Sequence, residues 1–72
     1  MAKWIVSVTP IPGRAAETET HGRTGLFATD NAAKGYVREM AKRHFAVRLS
    51  SPPDVKPAVR MDHGEALRWA NN

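Results

Sequence analysis

The most regular hydrophobic pattern in the chain lies in the stretch Phe27–His44. Its apolar positions recur at helical spacing and leave Lys and Arg on the opposite side. The members of this spaced set are Ala33, Tyr36, Val37, Met40, Ala41 and His44. Because residues three and four apart share one face of a helix, the pattern predicts an amphipathic helix. Thr29 and Asp30 are good N-cap residues, and the basic run 42–44 suits the C-terminal end of the helix dipole.

The polar side of this helix carries Lys34, Arg38 and Lys42 at intervals of four residues. This stripe has two interpretations: the solvated back of a packing helix, or a row of contacts to nucleic-acid phosphates. Helical spacing alone does not separate them. Gly35 falls on the same side, where simple tolerance explains it better than the close approach of another backbone.

Four further segments have the pattern of strands. Residues 3–10 alternate and are rich in β-branched side chains, which predicts a strand. Residues 15–21 alternate more weakly and predict a strand at an edge or over a thin part of the core. A turn or bulge follows at 22–25, and the apolar run 26–28 leads into the helix or continues this strand past the bulge. Phe45–Ser50 predicts a third strand. A fourth, within residues 55–61, would lie at an edge or start pairing after its proline, because proline cannot donate to a ladder.

The last stretch, Asp62–Ala70, fits two structures. As a hairpin, His63-Gly64 would form the turn and Glu65–Trp69 the final strand. As a helix, Asp62 would cap it and Glu65 would complete a capping box. Apolar residues alternate at strand spacing on both sides of the turn, and this favours the hairpin, which is our prediction.

Together these elements predict an α+β fold in one domain, residues 1–72. A small antiparallel sheet of four to five strands carries one amphipathic helix on one face, in the order β-β-α-β-β, with a strand or short helix last. A chain of 72 residues buries only about 60% of its unfolded surface. It has no cysteine, so neither a disulfide nor a thiolate metal site can stabilise it. Dimerisation would be a sensible supplement to its stability.

Three arginines sit between inward-pointing strand residues if the hairpin forms: Arg48, Arg60 and Arg68. Period-two alternation would then direct all three to the sheet face away from the helix. They could pair across strands with Glu17 and Glu19, or they could bind phosphates or an acidic protein surface. The core takes up the aromatic side chains of Trp4, Tyr36, Phe45 and Trp69, so recognition of nucleic acid by base stacking is disfavoured.

The charge balance sets the functional expectation. Eleven Lys and Arg against seven Asp and Glu give a net charge of +4, which permits a polyanionic partner without requiring one. We therefore predict a small basic binding module that contacts nucleic acid. The residues expected to carry this contact are Arg48, Arg60, Arg68, Lys34, Arg38 and Lys42. The alternative is a protein–protein interaction module, which could be a homodimer.

Catalysis finds little support in the sequence. His21, His44 and His63 are far apart and have no partner at motif spacing, and the acidic residues show no paired pattern. We expect no enzymatic activity, no metal and no small-molecule cofactor. The N-terminal apolar run is too short for a signal peptide, and no run approaches the length of a membrane span, so a cytoplasmic protein without a membrane partner is expected.

The motif Phe27-x-Thr29-x-x-x-Ala33-x-x-Tyr36-Val37 resembles the segment before the helix in the arm-DNA-binding domains of tyrosine recombinases. It spans 11 of the 72 residues, and its residues are structural. Those domains end with their helix, whereas this chain continues into further predicted strands. The resemblance therefore implies a strand-to-helix connection and assigns no family.

Overall fold

The computed structural model describes residues 2–11, 13 and 22–72. Within them, four strands form one antiparallel sheet in the order β2-β1-β3-β4. The strands are β1 (Trp4–Pro10), β2 (Arg23–Phe27), β3 (Phe45–Ser50) and β4 (Arg60–Met61). The predicted α+β class and the order β-β-α-β-β are confirmed, with β1 and β3 at the centre of the sheet.

The predicted helix is present as α1, Asp30–Lys42, between β2 and β3. Its N-cap is Thr29, whose Oγ1 accepts a hydrogen bond from the Ala32 amide at 3.2 Å. The helix ends two residues before His44, which adopts a left-handed backbone (φ 62°) and turns the chain into β3. A Cβ added at Gly35 would meet only the Arg38 guanidinium, at 4.0 Å, so no close approach of another backbone explains this glycine.

The hairpin predicted for residues 62–70 is wrong: His63–Ala70 forms a second helix, α2. Its capping box is complete, because Asp62 Oδ1 accepts from the Glu65 amide at 2.9 Å and Glu65 Oε1 accepts from the Asp62 amide at 3.5 Å. Two helical turns also bury Ala66 and Ala70, four residues apart, at 0% and 1% exposure. The capping box and this buried spacing favour a helix over a fifth strand.

The core lies between the sheet and the two helices. Its buried residues are Trp4, Val6 and Val8 of β1, Ala33, Val37 and Met40 of α1, Phe45, Val47 and Leu49 of β3, and Ala66 and Ala70 of α2. The Trp69 ring of α2 packs edge-on against Trp4, with ring centroids 5.1 Å apart. Both helices therefore cover the same face of the sheet, and no helix of the described residues covers the other face.

Of two further predicted strands, one is not covered by the described residues and the other is shorter than expected. The predicted strand 15–21 lies outside the described residues. The strand predicted within 55–61 is reduced to β4. The preceding loop is closed by Ser51, whose amide donates to the Val59 carbonyl and whose Oγ accepts from the Val59 amide, both at 2.9 Å. Pairing starts after the proline, as expected for a residue without an amide hydrogen.

Candidate interaction face of the sheet

Alternation along the strands assigns each side chain to one face of the sheet. The residues opposite to the buried ones form the helix-free face, which we call the open face. Its members are Ile5, Ser7, Thr9, Thr24, Leu26, Ala46, Arg48, Ser50 and Arg60. No aromatic side chain is among these described residues, in keeping with the predicted assignment of the aromatic rings to the core.

The strand register arranges the open face into rows. In one row, Leu26 lies opposite Ile5, Ile5 opposite Ser50, and Ser50 opposite Arg60. The face is therefore aliphatic on the β2 side, carries hydroxyl groups in the middle, and is cationic on the β4 side. Leu26 is 68% exposed, more than any other large hydrophobic residue in the described part of the chain.

In the next row, Thr24 lies opposite Ser7 and Ser7 opposite Arg48, so hydroxyl groups on β2 and β1 lie beside a cation on β3. Arg48 and Arg60 lie on neighbouring strands, in diagonal positions whose Cα atoms are about 7–8 Å apart in an antiparallel pair. Two long guanidinium side chains at this spacing can reach the same anionic group or two adjacent ones.

A hollow of about 920 Å³ occupies the half of the open face formed by β1, β3 and β4. Arg48 and Arg60 line it, and so do Asp62 and Glu65 at the start of α2. The capping box fixes these two carboxyl groups in place. The hollow therefore brings two cationic and two anionic side chains to one surface, next to the hydroxyl groups of the central rows.

Arg48 and Arg60 point away from the helices, as predicted, and both residues are exposed. Neither forms an ion pair with the rest of the described chain, where the ion pairs are Lys3–Asp30 at 3.2 Å and Arg43–Glu39 at 3.6 Å. The predicted partners Glu17 and Glu19 lie outside the described residues. The placement predicted for Arg68 is wrong, because Arg68 belongs to α2 and not to a strand of the sheet.

Two of the three cations in the α1 stripe hold the C-terminal end of α2. Arg38 Nη1 donates a hydrogen bond to the Ala70 carbonyl at 2.6 Å. Lys34 Nζ lies 5.2 Å from the centroid of the Trp69 ring and 3.5 Å from the Asn72 carbonyl oxygen. The last carbonyl groups of a helix lack partners within the helix and carry its negative dipole end, so cations from α1 suit this position. Lys42 remains exposed near the end of α1.

The six predicted contact residues therefore occupy three separate places. Arg48 and Arg60 lie on the open face, Arg68 lies on α2, and the stripe lies along α1. Of the three arginines expected on the sheet, the structure brings only Arg48 and Arg60 together. Asp62 and Glu65 join them at the hollow, and the sequence had suggested only a capping role for these acids.

His63 is a further residue whose role the sequence did not reveal. Its Nδ1 accepts a hydrogen bond from the Val47 amide at 3.1 Å. Val47 lies beyond the two-residue pairing of β4 with β3, which involves only Leu49 and Ser50. The imidazole therefore supplies an acceptor to a strand edge that a short β4 leaves uncovered, and the bond requires Nδ1 to carry no proton.

At the other side of the core, Asp30 joins α1 to β1. Its Oδ1 accepts from the Trp4 indole Nε1 at 2.7 Å and lies 3.2 Å from Lys3 Nζ. The hydrogen bond from Trp4 and then that from Lys3 lower the pKa of Asp30 below its ordinary value of 3.8. This contact is structural, because it attaches the start of α1 to the first strand.

The fold and this surface define a small α+β domain with two helices on one side of its sheet and a mixed polar face on the other. No protein-family model, curated protein or solved structure matches the chain. Among the described residues, no group of three or more His, Asp or Glu side chains is placed to hold a metal ion. No helix in the described segments is long and apolar enough to cross a membrane.

Proposed function

We propose that the protein is a non-enzymatic binding module that contacts another protein through its open face. The observation that carries this proposal is the composition of that face. It combines the guanidinium groups of Arg48 and Arg60, which form no ion pair within the described residues, with hydroxyl groups, the exposed side chain of Leu26 and the carboxylates of Asp62 and Glu65. Transient protein interfaces have such mixed surfaces, about as apolar as the rest of the protein and enriched in arginine.

The distribution of charge supports a protein partner over a polyanion. A surface for nucleic acid is expected to present a continuous basic patch or stripe. Here Lys34 and Arg38 are engaged with α2, and the two arginines of the open face share a hollow with two acids. Free guanidinium groups can form paired hydrogen bonds with carboxylates of a protein partner, with added geometric specificity.

Nucleic acid remains the second candidate, favoured by the net charge of +4 and by the exposure of Arg48 and Arg60, which form no ion pair in the part of the chain that the structure describes. Contact with two phosphates of a duplex would make the logarithm of the binding constant fall with the logarithm of salt concentration at a slope of about −2. Fluorescence anisotropy with labelled single-stranded and duplex oligonucleotides at two salt concentrations measures this slope. The cytoplasm as the protein's compartment also stays a prediction.

A peptide-selection experiment tests the proposal. Peptides from a random display library are selected on wild-type protein, and their affinities are then measured for two triple variants. The first, Arg48→Ala/Arg60→Ala/Leu26→Ser, alters the open face. The matched control, Lys42→Ala/Arg68→Ala/Val55→Ser, removes the same charge and one exposed aliphatic side chain elsewhere.

We expect the open-face variant to lose at least about tenfold in affinity, which is 1.4 kcal/mol, and the control to bind as wild type does. Selected peptides that bind the open-face variant as tightly as the wild type would show that the contact surface lies elsewhere. Salt-dependent oligonucleotide binding that only the open-face variant loses would replace the protein partner by nucleic acid.

A further inference from the structure

Building on the proposed function, we propose that the partner of the open face is a second copy of this chain, related by a twofold axis. The argument is charge complementarity. Among the described residues, the charged side chains that line the hollow are two cations, Arg48 and Arg60, and two anions, Asp62 and Glu65. A twofold interface places the same patch of both copies in contact, so a patch with equal numbers of cations and anions can neutralise its own copy.

The four charged groups are arranged so that they do not neutralise one another within one chain. No ion pair joins them in the described structure. Arg60 lies opposite Ser50 on the sheet, whereas Glu65 lies in the first turn of α2, after the chain has left the sheet at Asp62. Along the β4 side, the cationic side chain of Arg60 is thus followed by the anionic side chain of Glu65. An axis passing between them brings Arg60 of each copy to Glu65 of the other.

Size places this dimer among weak complexes. Strand lengths, a rise of about 3.3 Å per residue and a strand spacing of about 4.8 Å give roughly 300 Å² of flat sheet per copy. Even with the relief of the side chains and the start of α2, the total buried area stays near or below about 1,200 Å², the range of transient complexes. Burial of Leu26, otherwise 68% exposed, adds an apolar contribution. We therefore expect the fraction of dimer to increase as the protein concentration rises through the micromolar range.

A charge-swap experiment tests this proposal by sedimentation equilibrium. Arg60→Glu places acid against acid across the axis, and Glu65→Lys places base against base. Each variant alone is expected to weaken dimerisation by roughly tenfold or more, because facing like charges are strongly unfavourable. An equimolar mixture of the two restores both cross-axis pairs and is expected to dimerise within about threefold of wild type.

Two controls keep the result interpretable. Glu65→Gln retains an acceptor for the capping box while removing the charge, and circular dichroism verifies that each variant keeps its helices. Arg68→Glu reverses a cation of α2 and is expected to leave dimerisation unchanged. A loss of dimer with Arg68→Glu equal to that with Arg60→Glu would contradict the assigned face.

The outcomes separate this inference from the function on which it rests. Wild-type protein that stays monomeric up to millimolar concentration overturns the dimer, while selected peptides that need the open face would still support a different protein partner. A dimer that the equimolar mixture fails to restore places the interface elsewhere and overturns the inference as well. Selected peptides that ignore the open face contradict the proposed function itself.

Discussion

Replacing Arg38 by Met tests whether the basic stripe of α1 is a structural element or a binding surface. The side chain donates a 2.6 Å hydrogen bond from Nη1 to the Ala70 carbonyl at the end of α2. Methionine retains an unbranched apolar stem and removes only the guanidinium. If the stripe holds α2 in place, Arg38→Met destabilises the fold and leaves binding at the open face intact.

The magnitude follows from the type of bond. A hydrogen bond to a charged group contributes roughly 1.5–3 kcal/mol, and the exposure of Arg38 places it at the lower end, about 1.5 kcal/mol. A domain of 72 residues has a total unfolding free energy of roughly 4–11 kcal/mol. For this size, a loss of about 1.5 kcal/mol lowers the melting temperature by roughly 6–12 °C.

Urea and thermal unfolding followed by tryptophan fluorescence provide the assay. Both tryptophans report on the affected region, because Trp69 of α2 packs against Trp4 of β1. Lys42→Met is the control from the same stripe; it loses only an exposed interaction with the helix dipole, about 0.3 kcal/mol. If Arg38→Met unfolds like wild type and instead loses binding of a selected peptide, the structural role assigned to the stripe is refuted.

Four further predictions use other contacts. Gly35→Ala should raise the unfolding free energy by about 0.8–1.0 kcal/mol in urea titrations, because the new Cβ meets only Arg38; Gly22→Ala should lower it, since its Cβ would lie 2.9 Å from the Val8 carbonyl oxygen. His63→Ala should cost about 1 kcal/mol and speed hydrogen exchange at the Val47 amide, and unchanged exchange would contradict the edge-covering role. For Asp30, the lowered pKa means that its stabilisation is present above the ordinary value of 3.8 and is lost as pH falls through the folded value. Asp30→Asn should therefore reduce the pH dependence of the unfolding free energy in the acid range. The same pH dependence in the variant and the wild type over this range would rule out this contribution.

Much of the fold could be predicted because its main elements carry two agreeing local signals. Residues 30–42 show helical periodicity and a Thr29 cap. β1 combines alternation with β-branched residues, and β3 places Phe45, Val47 and Leu49 at alternate positions. The segment 62–70 carried conflicting signals. Its strand-like alternation competes with the capping box, and Ala66 and Ala70 have the spacing of a buried helical stripe. A capping box has a physical use only at a helix start, which made it the better signal.

The candidate site is less predictable, because it depends on contacts between distant segments. Arg48 and Arg60 could be assigned to the open face from alternation alone. Sequence spacing gave no sign that Arg38 reaches Ala70, 32 residues away, or that His63 accepts from Val47. These bonds exist only because α2 lies beside α1 and β3, and they change an apparently free cation and an apparently free histidine into structural groups.

The choice between strand and helix for residues 63–70 decides the charge of the open face. A fifth strand would have added Arg68 to Arg48 and Arg60 and produced a cationic face suited to phosphates. Instead, the chain leaves the sheet at Asp62, and Arg68 lies in α2. Two carboxylates then line the hollow. The acids that make the helix form, Asp62 and Glu65, are the same acids that balance the arginines. The local capping signal therefore determines both the helical structure of residues 63–70 and the mixed charge of the open face. This mixed charge favours a protein partner, including a second copy of the chain, over a polyanion.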